Sequence, residues 1–281
     1  MYSRQKTFCL CALFFIAALA AVTPSRAGPQ PVQLNDCGGR VASWSFAGPV
    51  VSPAQQSKFK DAFCQDISHL ENWAGPQNWS VPAGLPRLRI FVSSKYKLAR
   101  SLVPAWNRHR GRMEFPAARV AANQANLAHE LGHVYFPNGN RMLAEGFGVY
   151  LQDEIGGNTG YPNFGKDVHK MMRCEFTADR KRINLSSLDS IPTPIPLTID
   201  FSEFSEREKG RWSYIFAGSF VRHLIGIYGM DKFRALYAQT PFKPKRHVAR
   251  QSRHWSNVYG VSLALLEQGW KSMIEAVNCT S

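Results

Sequence analysis

His129-Glu130-Leu131-Gly132-His133, followed by Leu143-Ala144-Glu145-Gly146-Phe147-Gly148, is the stretch on which the reading of this chain turns. Residues i and i+4 of a helix lie on one face, one turn apart. Two imidazole nitrogens can then converge on one Zn²⁺ at about 2.0–2.1 Å. Glu130 sits about 100° round the helix from His129. From there its carboxylate reaches a water on the metal without being a ligand, and can take a proton from it. His-Glu-x-x-His is a specific pattern, although a helix with two ordinary histidines would also match it.

The flanks support a helix. Ala125, Leu127, Ala128, Leu131 and Val134 supply apolar positions beside the histidines, and the pattern predicts helices over 121–136 and 141–154. Pro137-Asn138-Gly139-Asn140 between them reads as a turn. A helix returning antiparallel after so short a loop brings an early residue opposite the histidine pair. Glu145 is the charged residue placed there, among Leu143, Phe147, Val149 and Leu151. A carboxylate in apolar company needs a partner. His129, His133 and Glu145 are therefore the expected metal ligands, Zn²⁺ the expected cofactor and Glu130 the catalytic candidate; a surface acid paired with Arg141 at i+4 is the competing view of Glu145. His169, Asp153 and Glu154 are the other possible third ligands. A third histidine in metzincin spacing is excluded, because Phe136 and Gly139 occupy the positions that pattern needs.

Working outward, residues 28–120 read as a mixed α/β part. Val41–Phe46 alternates as a strand. Ser52-Pro53 is a helix start, followed by an apolar stripe at Phe59, Phe63, Ile67, Leu70 and Trp73 that ends at Gly75-Pro76. Leu88, Ile90 and Val92 alternate as a second strand. Beyond 120 the chain turns helical, with further helices over 205–228, 231–239 and 261–277. A long irregular stretch, 155–203, contains the Pro-rich 191–196 run. The expected fold class is α+β: a mixed sheet packed on the metal-binding helix, then a mainly helical C-terminal lobe. No linker divides 28–281, which is expected to form a single domain.

Composition sets the compartment and partners. The 281 residues are 44% hydrophobic and 12% aromatic, too apolar for a disordered tail. Arg4 and Lys6 precede an apolar run over 8–22, and Ser25-Arg26-Ala27 offers small residues before a cut at Gly28. Residues 1–27 therefore read as a signal peptide, and the run is short for a membrane span. No other run approaches spanning length. Secretion or a periplasmic location is expected. Removing 1–27 lowers the net charge from +14 to +11 and leaves Cys37, Cys64, Cys174 and Cys279. Four cysteines allow three pairings. Cys37–Cys64, tying the first strand to the first helix, and Cys174–Cys279, pinning the C-terminus, are the favoured disulfides. Basic residues are densest from Lys243 to His254, which reads either as a solvated face or as a surface for an acidic substrate, a membrane surface or an anionic envelope polymer. Aromatic residues do not alternate with them as a nucleic-acid platform requires.

The two motifs together resemble the gluzincin zinc metallopeptidases, the peptidase MA-like group. Three later segments, Tyr214–Gly229, Asp231–Tyr237 and Val258–Trp270, resemble its helices after the zinc site more loosely, so the likeness covers about residues 85–275. The resemblance implies His129, His133 and Glu145 as zinc ligands and Glu130 as general base. It also implies a catalytic role for Tyr214, which precedes Ala217-Gly218 as does the oxyanion-binding tyrosine of the aminopeptidase branch. Two departures stand out. Val149 occupies the position of the aspartate that orients a zinc histidine in thermolysin-like members. Gly111-Arg-Met-Glu114-Phe115 resembles the aminopeptidase edge-strand motif but ends in Phe, so Glu114 as an anchor for a substrate amino terminus is weakly supported. The resulting expectation is an exported zinc metallopeptidase acting on peptide or protein substrates. The alternative is a secreted, non-catalytic binding protein on the same scaffold, with a basic surface for acidic polymers.

Overall fold

A computed structural model describes residues 36–81, 84–102, 111–176, 207–240 and 252–279. The expected signal peptide, the Pro-rich run and most of the basic stretch from Lys243 lie outside the described residues.

The chain begins with β1 (Val41–Ala47) and α1 (Pro53–Ala74), then β2 (Leu88–Ser93), β3 (Arg100–Leu102) and β4 (Arg112–Pro116). The sheet order is β1-β2-β4-β3, with β1, β2 and β4 parallel and β3 antiparallel at one edge. α1 starts where the sequence places it: Ser52 Oγ accepts from Gln55 N, the Gln55 side chain accepts from Ser52 N, and Pro53 opens the helix. Its stripe of Phe59, Phe63, Ile67 and Leu70 is buried. Phe59 and Phe63 meet Phe115 of β4 edge-on at 5.4 and 6.2 Å, and Phe63 meets Trp44 of β1 at 5.4 Å. Such edge-to-face pairs lock the helix across the sheet.

The rest is helical: α2 (Ala117–Ala121), α3 (Leu127–Tyr135), α4 (Arg141–Ile155), α5 (Val168–Lys170) running into a π-helical turn (Met171–Glu175), α6 (Arg207–Tyr228), α7 (Met230–Ala238), α8 (Ser252–Tyr259) and α9 (Leu263–Ala276). The α+β architecture is as expected from the sequence. One boundary differs: the helix expected over 121–136 begins only at Leu127, as α3, while the short α2 before it, which was not expected, ends at Ala121 ahead of Asn123, whose φ of 55° is left-handed. α8 was not expected.

α4 is the central helix, packed on α3 along one side and on α6 along another. Gly146 and Gly148 permit both approaches. A Cβ at Gly146 would collide with the Ala217 carbonyl of α6, and one at Gly148 would lie 2.7 Å from Nδ1 of His129. Both favoured disulfides are present, Cys37–Cys64 and Cys174–Cys279, closing separations of 27 and 105 residues. Loop-closure entropy assigns them roughly 3.5 and 4.8 kcal/mol.

Candidate metal centre

The site forms where α3 turns back into α4. Asn140 caps α4 by accepting from Leu143 N at 3.1 Å. The turn itself is fastened from α7. Asn138 Nδ2 donates to the Tyr237 carbonyl at 2.8 Å, Thr240 Oγ1 donates to Asn138 Oδ1 at 2.8 Å, and the Tyr237 hydroxyl donates to the Phe136 carbonyl at 2.7 Å. These bonds fix the angle at which α4 leaves the turn, and so where Glu145 points.

Nε2 of His129, Nε2 of His133 and Oε2 of Glu145 form a triangle with all three edges at 3.2 Å. Among the described residues this is the one group of His, Cys, Asp or Glu side chains that could hold a metal ion. Three ligands about 2.0–2.1 Å from a tetrahedral centre would be separated by about 3.3–3.4 Å. The donors thus stand at nearly the spacing a small divalent ion needs, and two imidazoles with one carboxylate is a donor set such an ion accepts. Burial alone would push the Glu145 carboxyl up, but the adjacent His133 and His129 hold it well below the usual carboxylate range. His133 is raised despite burial, chiefly by Glu145. Arg141 Nε lies 3.4 Å from Glu145 Oε1, so the surface pairing expected at i+4 coexists with the triangle.

Nδ1 of His129 is buried without a hydrogen-bond partner among the described residues. Val149, at the position of the orienting aspartate, packs against Gly218 instead. The His129 ring is set sterically, against the Cα of Gly148, rather than by an acceptor. The backbone N–H of His129 donates to Gln152 Oε1 at 3.3 Å, a further tie between α3 and α4.

Glu130 is buried beside the triangle, and both carboxylate oxygens are engaged. The Ser101 hydroxyl, on edge strand β3, lies 2.9 Å from Oε2 and 2.9 Å from the Glu130 carbonyl oxygen. Asn126 Nδ2 donates to Oε1 at 3.1 Å. Tyr214, on α6, brings its ring 6.1 Å from that of His129 and meets Tyr161 edge-on at 5.6 Å. Burial, reinforced by Glu145, pushes its phenol far above the ordinary value, so it stays protonated at neutral pH. His129, Glu130, His133, Glu145, Ser101 and Tyr214 all line one cleft of about 520 Å³.

The competing ligands are elsewhere. His169 Nδ1 bonds Ser219 Oγ at 2.9 Å, and burial pushes it down to about 4. Asp153 and Glu154 pair with Arg222. Glu114 is no free anchor: β4 is an interior strand, and its carboxylate takes Arg100 and Arg112. Ser101, Asn126, Asn138, Gln152, Tyr237 and Thr240 support the site but were not singled out from sequence. Asn138 alone carried a signal, as part of the turn.

Scans of this chain against family models, curated proteins and solved structures give no match. The site defines a class by its donors alone: an α+β protein with a buried His-His-Glu group able to hold a metal ion.

Proposed function

We propose that this chain is an exported zinc peptidase of gluzincin type, with His129, His133 and Glu145 holding Zn²⁺. The observation that carries the reading is the triangle of donor atoms opening on a cleft, with Glu130 held beside it by Ser101 and Asn126. Bound there, zinc would supply a Lewis acid for the scissile carbonyl and lower the pKa of a water to about 7. Glu130 would take a proton from the attacking water and pass it to the leaving amine. Its two hydrogen bonds, from Ser101 and Asn126, keep the carboxylate aimed. The Tyr214 hydroxyl, protonated at neutral pH, would donate to the oxygen on which negative charge develops. Edge strand β3, bordering the cleft, offers backbone for an extended substrate to lie along. Two disulfides fit an oxidising compartment, and no described helix is long and apolar enough to cross a membrane.

The test pairs metal analysis with a peptide library. Glu130→Gln should keep its zinc and lose about a hundredfold or more in turnover. A variant that cleaves as fast as the parent would overturn the mechanism. Zinc retention by a parent that cleaves nothing would favour the non-catalytic binding protein.

A further inference from the structure

The charge around the cleft is strongly one-sided. Its lining carries the cationic side chains of Lys95, Lys97, Arg100, Arg119 and Arg141, against two carboxylates, Glu130 and Glu145. Both carboxylates are committed within the site, Glu145 to the histidine pair and Arg141, and Glu130 to Ser101 and Asn126. The cations are not a loose fringe. The wall formed by the β2–β3 connection and β3 is braced from behind by Glu114, which takes Arg100 and Arg112, while Arg112 Nη2 donates to the Tyr96 hydroxyl at 2.9 Å. One carboxylate thus serves two guanidinium groups, so the brace itself keeps a net positive charge. It holds Tyr96 between Lys95 and Lys97, both exposed and neither in an ion pair with a described residue. Across the cleft the Arg119 guanidinium lies over the rings of Tyr161 and Phe164, at 5.1 and 4.7 Å. Stacking of this kind fixes the plane of the guanidinium and adds its positive charge to the cleft wall.

We propose that the cleft selects acidic peptide segments, with Lys95 and Lys97 as the specificity-determining residues that meet substrate carboxylates beside the metal triangle. This inference rests on the peptidase reading for its peptide backbone, but not for its charge preference. Positive walls raise the local concentration of an anionic chain and repel a cationic one. The attraction weakens as salt rises, because the rim is solvent-exposed.

The experiment measures binding to the zinc-loaded Glu130→Gln protein and turnover by the parent. The probes are a Glu-rich peptide, its Gln counterpart of equal length and its Lys counterpart. The expected result is about tenfold tighter binding of the Glu peptide than the Gln peptide at low salt, the Lys peptide weakest, with the preference narrowing in high salt. Lys95→Ser/Lys97→Ser should bring the Glu-to-Gln ratio towards unity, and Lys95→Arg/Lys97→Arg should restore it. Equal affinity for the three peptides, or a ratio untouched by the serine variant, would overturn the proposal even if peptides are cleaved. Selective binding of the Glu peptide with no turnover by the parent would remove the peptidase reading and leave the charge selection standing. Polyphosphate binding more tightly than the Glu peptide and displacing it would reassign the cleft to a non-peptide polyanion and overturn the proposal.

Discussion

Glu114 and Glu145 are both largely buried carboxylates, with 3% and 13% side-chain exposure; Glu114 is met by two basic side chains and Glu145 by three, His129, His133 and Arg141. They end in opposite kinds of site. At the sheet corner each Glu114 oxygen takes its own guanidinium nitrogen, from Arg100 and from Arg112. Arginine is always charged and offers only donors, so the carboxylate is satisfied and nothing more is required. At the α3–α4 corner a single Glu145 oxygen faces two imidazole nitrogens, 3.2 Å from each and 3.2 Å from one another. A neutral imidazole nitrogen can be an acceptor as well as a donor, so two of them converging with a carboxylate oxygen make a group that could hold a cation. The partner's chemistry, not the carboxylate's burial, separates a closed ion pair from a group that could hold a metal ion. Asp66 of α1 sharpens the contrast. It is fully buried, accepts from Gly157 N at 2.8 Å, has no partner on Oδ2 among the described residues, and is pushed by burial up to about 6.

The largest effect expected from this contrast is on the metal. Glu145→Ala should weaken zinc binding by more than about a hundredfold, beyond the loss seen when only an outer hydrogen-bond partner of a ligand is removed. Glu114→Ala should leave zinc content unchanged. Metal analysis of both purified variants, dialysed against a weak chelator, checks this. If Glu145→Ala kept zinc at parental level, the two corners would not differ in the way described.

The His-His-Glu group that could hold a metal was legible in the sequence because its geometry is local. The i, i+4 histidines need only a helix, and Glu145 needs only a short turn back. The strands at 41–47 and 88–93 and the start of α1 were legible for the same reason: alternation and a capping pair are written within a few residues. Where the reading failed, longer-range or weaker signals were at work. The alanines of 117–122 favour helix on both sides of position 121, so α2 went unread and the next helix was started at 121 instead of 127, with only the left-handed Asn123 to mark the break. β3 is three residues long, too short for any period, and yet it delivers Ser101 to Glu130 across 29 positions of sequence. The clasp from Tyr237 and Thr240 onto Asn138 spans about a hundred. Its members look like any other polar residues in a list. The interior position of Glu114 was not legible, because strand order is set by pairing partners that β4 does not itself encode.

A smaller effect separates Asp66 from both glutamates. Its folded-state value of about 6 lies above the ordinary 3.8, so the fold favours the protonated form. The stability this gives is full below about pH 4 and is lost as pH rises through about 6. At 1.36 kcal/mol per unit the swing is about 2–3 kcal/mol. Asp66→Asn keeps an oxygen for Gly157 N–H and carries no charge. Urea unfolding from pH 4 to 7.5 should show the variant more stable than the parent at neutral pH, with the gap closing towards pH 4. A gap that widens on acidification would mean that Asp66 is paired with a cation after all.

Glu114→Gln should produce the smallest change and the opposite pH trend. Burial opposes its charge, but hydrogen bonds from Arg100 and Arg112 hold its carboxyl below the ordinary 4.5. The ionised form is therefore the one the fold prefers, and the stability it contributes is present above about pH 4.5 and lost as pH falls below it. Bonds to a charged group are worth about 1.5–3 kcal/mol each, but Arg100 is 63% exposed and recovers much of its loss from water. A destabilisation of about 1–2 kcal/mol at pH 7, shrinking on acidification, is expected from denaturant titration of the parent and the variant. Because Arg112 also holds Tyr96, loosening this corner should lower affinity for an acidic peptide slightly while leaving zinc in place. A variant as stable as the parent at pH 7 would show that the guanidinium pair does not need its carboxylate. The sheet corner would then be as open to rearrangement as the metal corner is closed to it.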